Sequence, residues 1–320
     1  SILAEPGPGR LLAAAGLGRR LASLPTSLRL HQVCLGASKS DVLTYLGDGE
    51  SLPYLCELYG AVPGSAEPLE LAAVSPRIMG LIAEKRFVLV EANRLFAGLL
   101  PRGAYPSFPW IRQRVQLSGG RYMTRRASIE ATYGRKVRRH RFTYRLSREP
   151  EAAVDFYYNL YAPYVQERFG AACHPRRLNE FAAALRSGAV LQILCGGLVV
   201  AGAVCRLAGN QVTAVAFGLR PPYEGHLRQG ALSGAYYYLF QWAESIGLAC
   251  VDLLRSRAHT ADGVYEHKRR WGAEPEVDPW PVNGWWIYAP PGCRAPQPAA
   301  GHLVWTRASL APLGLVLKQS

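Results

Sequence analysis

AVLQILC (189–195), Gly196-Gly197, LVVAGAVCRLA (198–208), Gly209-Asn210 and QVTAVAFGL (211–219) decide the fold of the C-terminal half. Three apolar runs are separated by two-residue turns. Gly-Gly and Gly-Asn accept the positive φ that tight hairpin turns demand, so the stretch reads as an antiparallel meander. Pro221-Pro222 stops its last strand. Upstream, EAAVDFYYNLYAPYVQERFG (151–170) has helical periodicity, and Pro163 is expected to kink or divide it. Pro175 opens a second helix, RRLNEFAAALRSG, closed by Gly188. Downstream, a helix over 228–246 carries Tyr236, Tyr237, Tyr238 and Trp242 and is capped by Gly247. A strand LACVDLL, a short helix DGVYEHKRRW, and strands near AEPEV and GWWIYAP follow. Helices alternating with an antiparallel meander and later strands predict an α+β domain with a mixed sheet.

The N-terminal half is less regular. Residues 1–30 read as an extension rich in Ala, Leu and Gly. Its apolar piece is broken by Gly and followed by Arg, the reverse of a signal peptide. Short apolar runs occupy 31–101: RFVLVEA (86–92) reads as a strand and NRLFAGLL (93–100) as a strand or short helix. PRGAYPSFPW (101–110) predicts a rigid irregular loop and a candidate site edge.

Composition excludes whole classes. With 320 residues, 49% hydrophobic and 19% charged, the chain can build a core large enough for an enzyme and is not intrinsically disordered. No run of 18 apolar residues predicts a spanning helix. The 7 cysteines are scattered without a CxxC pair, which points to reduced thiols in a cytoplasmic protein and argues against a zinc site. The net charge of +14 is concentrated. From Arg121 to Arg148 the only acid is Glu130, and Arg135, Lys136, Arg138, Arg139 and Arg141 form the densest part. Such a run is either a solvated helix face or a field that attracts polyanions.

Four segments resemble the FemAB-like branch of the GNAT superfamily, which includes aminoacyltransferases that build peptidoglycan bridges and acetyltransferases associated with exopolysaccharide synthesis. They are ATYGRKVRRHRF (131–142), DFYYNLYAPYVQERFG (155–170), QWAESIGLACVDLLRSR (241–257) and DGVYEHKRRWGAEP (262–275), the last being the most specific. The tail HLVWTRASLAPLGLVL (302–317) resembles the ending of exopolysaccharide-associated members. The element order also matches the GNAT arrangement, in which a splayed sheet admits an acyl donor. Two tandem GNAT-like halves are implied: 31–125 degenerate, 126–290 the transferase domain, with 291–320 as a tail. The sequence departs from the family at Leu253-Leu254, where Phe-Gly is usual, and at His267, where Phe is usual. The pyrophosphate loop of ordinary GNAT enzymes is missing from YEGHLRQGALSG (223–234).

The resemblance implies transfer of an activated acyl group to an amine acceptor (a peptide, saccharide or small molecule). Aminoacyl-tRNA is favoured as donor over acyl-CoA, because the loop that would hold CoA is absent. No tightly bound cofactor or metal is implied. Lys268, Arg255 and Ser256 are the candidate catalytic residues, Lys268 holding a phosphate or the developing oxyanion. Arg135, Lys136, Arg138, Arg139 and Arg228 are candidate donor contacts. Tyr161, Tyr164, Tyr237, Asp252, Tyr265 and Trp271 are candidate pocket residues, with a core role as the competing reading for Tyr265 and a salt bridge to Asp252 or another nearby acid for Arg255. His174, His226, His259 and His267 could each serve as a base without a fixed partner in sequence. The alternative function is a non-catalytic RNA- or anionic-surface-binding protein. A weaker idea takes the apolar stretch 303–317 as a peripheral membrane contact.

Overall fold

The computed structural model describes residues 27–35, 42–47, 49–169, 175–278, 283–293, 295–306 and 309–318. Most of the sequence-read N-terminal extension (1–26), and His174, lie outside them. In chain order the elements are β1 (Ser27–Leu35), β2 (Val42–Gly47), α1 (Leu52–Tyr59), β3 (Ala61–Glu70), α2 (Leu71–Ala83), β4 (Phe87–Asn93), β5 (Tyr105–Ser107) and β6 (Trp110–Gln116). Then come α3 (Gly120–Ile129), a π turn (Glu130–Gly134), α4 (Arg135–Arg139), β7 (Thr143–Ser147), α5 (Pro150–Asp155), a second π turn (Phe156–Tyr161), α6 (Ala162–Phe169) and α7 (Leu178–Leu185). The meander β8 (Gly188–Cys195), β9 (Leu198–Ala208) and β10 (Gln211–Leu219) precedes α8 (Tyr223–Gln229), α9 (Ala231–Ser245) and β11 (Cys250–Arg257). The chain continues through α10 (Gly263–Arg270), β12 (Glu274–Val277), β13 (Asn283–Tyr288), β14 (Leu303–Trp305), β15 (Leu310–Pro312) and α11 (Leu313–Val316). The protein is α+β, with two mixed sheets.

These elements fall into two compact units. The first comprises residues 1–111, 256–266 and 276–320, the second 112–255 and 267–275. The first is built on an eight-stranded sheet, ordered β15-β14-β5-β13-β4-β2-β1-β3. Its β4 is buried at every position, as the unbroken apolar run FVLV predicts. NRLFAGLL resolves as a 3-10 helix over Arg94–Leu99, and the loop PRGAYPSFPW contains β5 and opens β6. The apolar C-terminal stretch contributes Leu303, Val304 and Leu313 to the core, while Trp305 and Leu315 are exposed. Among the described residues no helix is long and apolar enough to cross a membrane.

The second unit is centred on the sheet ordered β12-β6-β11-β10-β9-β8-β7. β8, β9 and β10 form the anticipated antiparallel meander, and β11 joins β10 in parallel after the crossover through α9. A large core packs Val190, Leu191, Val204, Leu239, Phe240 and Trp271 together. Three boundaries differ from the sequence reading. Gly188 does not cap a helix but opens β8, where a Cβ would run into the Cys205 carbonyl of the neighbouring strand. The long helix breaks at Gly230, whose φ of 88° ends α8 before α9 begins. The helical run of 150–169 is not divided at Pro163, because a π turn immediately before it absorbs the irregularity.

Candidate active site

The site grows from the last shared turn of two parallel strands. β10 and β11 pair at Gln211↔Cys250, Val212↔Val251 and Thr213↔Asp252, and among the described residues no further rungs join them. Both strands deviate just past that point. On β10 the register against β9 shifts between Ala214 and Ala216, a bulge that bends and twists a strand. On β11 Leu254 takes a φ of 60°, the left-handed region a branched side chain avoids. Leu254 is thus held in a conformation that glycine would adopt freely.

Asp252 explains how Leu254 is held. Its carboxylate is fully buried, and Oδ1 accepts a hydrogen bond from the Leu254 N–H at 2.9 Å. Oδ2 pairs with the Arg112 guanidinium, and Arg114 Nε stands 3.8 Å away. Two arginines of β6 therefore face the Asp252 carboxylate. The sequence carried their signal: in WIRQRVQ the buried Ile111, Gln113 and Val115 alternate with Arg112 and Arg114, so both arginines lie on one face of a strand. What the sequence withheld was the neighbour, β11. Asp252 belongs to this buried ionic knot rather than to an open pocket wall.

Lys268 comes to the same strand from α10. It is only 5% exposed, and its ammonium donates to the Arg255 carbonyl at 2.7 Å. Lys268 and Arg255 are therefore together through a side chain and a backbone oxygen, while the Arg255 side chain is exposed. On the β10 side Phe217 stacks on Tyr236 of α9, centroids 4.0 Å apart at 5°. Tyr236 continues onto Trp271 at 5.5 Å, and Trp271 onto Tyr133 at 4.2 Å. His267 meets Tyr236 edge-on at 4.8 Å. Burial, with Lys268, Arg168 and Arg270 adding positive charge, lowers the His267 pKa to about 4. Tyr164 of α6 packs against Tyr223 and accepts a 3.4 Å hydrogen bond from Arg168. Phe217 and Tyr236 were not anticipated, since an aromatic on an amphipathic helix or strand reads first as core.

Other candidates sit elsewhere. Tyr161 is in an aromatic nest with Phe156 and Phe181, its hydroxyl accepting from the Arg176 N–H at 3.0 Å. Trp271 is fully buried. In the first unit Ser256 is buried, and Tyr265 packs with Phe108, Ile111, Ala258 and Leu303 as core. His259 is also buried there, with Nε2 2.7 Å from the Pro298 carbonyl.

The basic segment forms an exposed surface of the second unit. Arg121, Arg126, Arg135, Lys136, Arg138, Arg139, Arg141, Arg145 and Arg148 are all exposed. Several have local partners: Arg126 pairs with Glu244 at 3.3 Å, Arg145 donates to Gln192 at 2.9 Å, and Arg138 pairs with Glu130, which also accepts from Tyr237 at 2.8 Å. The two bonds to Glu130 hold its carboxyl below its usual range, and burial together with Glu130 pushes Tyr237 up to about 12. The Lys136 stem lies against Gly230, 3.1 Å from where a Cβ would stand, two residues past the exposed Arg228. The candidate donor contacts from α4 and α8 are in this way brought to one neighbourhood. Among the described residues no group of three or more His, Cys, Asp or Glu could hold a metal ion.

Fold and site together define an α+β protein with parted parallel strands, a buried lysine at the parting and an exposed arginine-rich flank. No protein-family model and no curated protein matches the sequence. Several solved structures show a low similarity to the chain. L-PGS from Bacillus licheniformis is 13% identical with a TM-score of 0.40, covering 90% of this chain and 93% of that one. FemX is 10% identical with a TM-score of 0.41, covering 81% and 83%. A GCN5-related N-acetyltransferase from Sphaerobacter thermophilus is 14% identical with a TM-score of 0.37, covering 86% and 85%.

Proposed function

We infer that the chain is an N-aminoacyl or N-acyl transferase, with aminoacyl-tRNA favoured over acyl-CoA as donor. The observation that carries this reading is the parting of β10 and β11 beyond Thr213 and Asp252, with the Lys268 ammonium held against Arg255 O at the diverging end. An extended acyl donor fits between open strand edges, where backbone groups hydrogen-bond it and a nearby cation stabilises a developing oxyanion. In the reaction the acceptor nitrogen attacks the ester carbonyl, a C–N bond forms, and the C–O bond to the tRNA ribose breaks. The proton lost by nitrogen ends on the released hydroxyl. The exposed arginines around Arg135, Lys136 and Arg139 supply the counter-charge that a phosphate backbone requires.

The test is transfer from a mixture of radiolabelled aminoacyl-tRNAs, and separately from acyl-CoA, to a panel of amines. Transfer from charged tRNA that fades with salt supports the reading. Neutralising Arg135, Lys136 and Arg139 should weaken tRNA binding and flatten its log–log salt slope by about one per cation removed. Full activity with acyl-CoA alone eliminates the tRNA donor. RNA binding without transfer from either donor favours the non-catalytic alternative.

A further inference from the structure

The C-terminal half of α10 spans the ends of the parted strands. At one residue it is tied to β11, through Lys268 Nζ on Arg255 O. At the preceding residue it touches the ring that stacks on β10, through His267 on Tyr236, which covers Phe217. His267 thus touches the ring that stacks on β10 and precedes the lysine tied to β11. Its Nε2 is buried and has no hydrogen-bond partner among the described residues. A buried polar nitrogen left unmatched is costly and calls for a partner that completes it.

We propose that His267 is the proton acceptor for the attacking amine, with Nε2 as the accepting atom and its own proton on Nδ1. This rests on the transferase reading and adds a role the family does not supply at this position. As the acceptor nitrogen bonds to the acyl carbon its N–H becomes acidic. Nε2 takes that proton and returns it to the departing oxygen, so the imidazole ends neutral and the ester C–O bond is exchanged for C–N. The groups facing the ring fit this task. Tyr236 from α9 and Trp271 exclude water, while Arg168 from α6, Lys268 and Arg270 keep the resting imidazole uncharged. A neutral ring is the form that can accept.

The experiment compares wild type, His267→Phe and His267→Gln in single-turnover transfer over pH 5–9, with thermal melts alongside. Phenylalanine fits the same aromatic surroundings and controls for folding. Expected is a loss of about 10²-fold or more in the transfer step for both variants, with donor binding within twofold of wild type and melts unchanged for Phe. Wild type should show no inflection near pH 6.5 beyond the decline set by protonation of the acceptor amine. An active wild type with His267→Phe within threefold overturns the proton-acceptor role while leaving the transferase reading intact. A wild type inactive with every donor overturns the transferase reading and the role with it. If Phe unfolds the chain, the Gln variant decides: a rate near wild type overturns the role.

Discussion

Asp252→Asn tests the buried knot from which the site is built. Asparagine keeps the shape and the Oδ1 that accepts the Leu254 N–H, and removes only the negative charge. Arg112, whose side chain is 16% exposed, is then left with a nearly buried guanidinium and no counter-ion; Arg114 is 30% exposed and loses less. Breaking a buried pair by removing one partner costs about 3–5 kcal/mol, and residual solvent at Arg112 places this case near 3. Asp252→Ala also leaves the Leu254 N–H without its acceptor, adding about 1 kcal/mol. Urea unfolding followed by tryptophan fluorescence reads these values, since Trp242 and Trp271 lie in the same core. With an m-value of about 2 kcal/mol per M, Asp252→Asn lowers the midpoint by about 1.5 M. In an Arg112→Met background the same change costs much less, because the stranded charge is gone, giving a coupling of about 2 kcal/mol. A loss under about 0.5 kcal/mol, or strict additivity in that cycle, refutes the ionic knot.

Two further outcomes follow from the same region. Leu254→Gly relieves a left-handed strain of about 1–2 kcal/mol but loosens the unfolded chain by about 0.4–1 kcal/mol. Stability should therefore change little or rise slightly, whereas Leu254→Val should fall by more than about 1 kcal/mol; a calorimetric loss for Gly equal to that for Val contradicts the strain. Glu130, held below its usual pKa by Arg138 and Tyr237, contributes stability above its unfolded value that is lost as pH falls through the folded one. Glu130→Gln should melt earlier than wild type at pH 7, with the gap closing as pH drops below the ordinary carboxylate range; a gap that persists at pH 3 excludes the charge as its source.

Much of this was legible residue by residue. Gly196-Gly197 and Gly209-Asn210 announced the meander because their turns require φ > 0, a local property. The basic run 121–148 announced an exposed surface because so many arginines cannot be buried without partners. Lys268 and Arg255 were singled out through a motif resemblance, and they do come together. Arg112 and Arg114 were legible as a face but not as partners of Asp252, since strand pairing across more than a hundred residues leaves no local trace. The Pro-interrupted apolar tail gave only a weaker idea of a membrane contact, and burial of Leu313 became visible only with the eight-stranded sheet of the first unit.

The sequence by itself determined the meander and most helices of the C-terminal half, because turn chemistry and periodicity act between near neighbours. It also determined where the charge lies. Only the tertiary structure decided that β10 and β11 part after three rungs, that Leu254 is held left-handed by Asp252, and that His267 is a neutral, desolvated ring. Desolvation and ion pairing depend on what packs against a side chain, and those neighbours come from strands and helices far away along the chain.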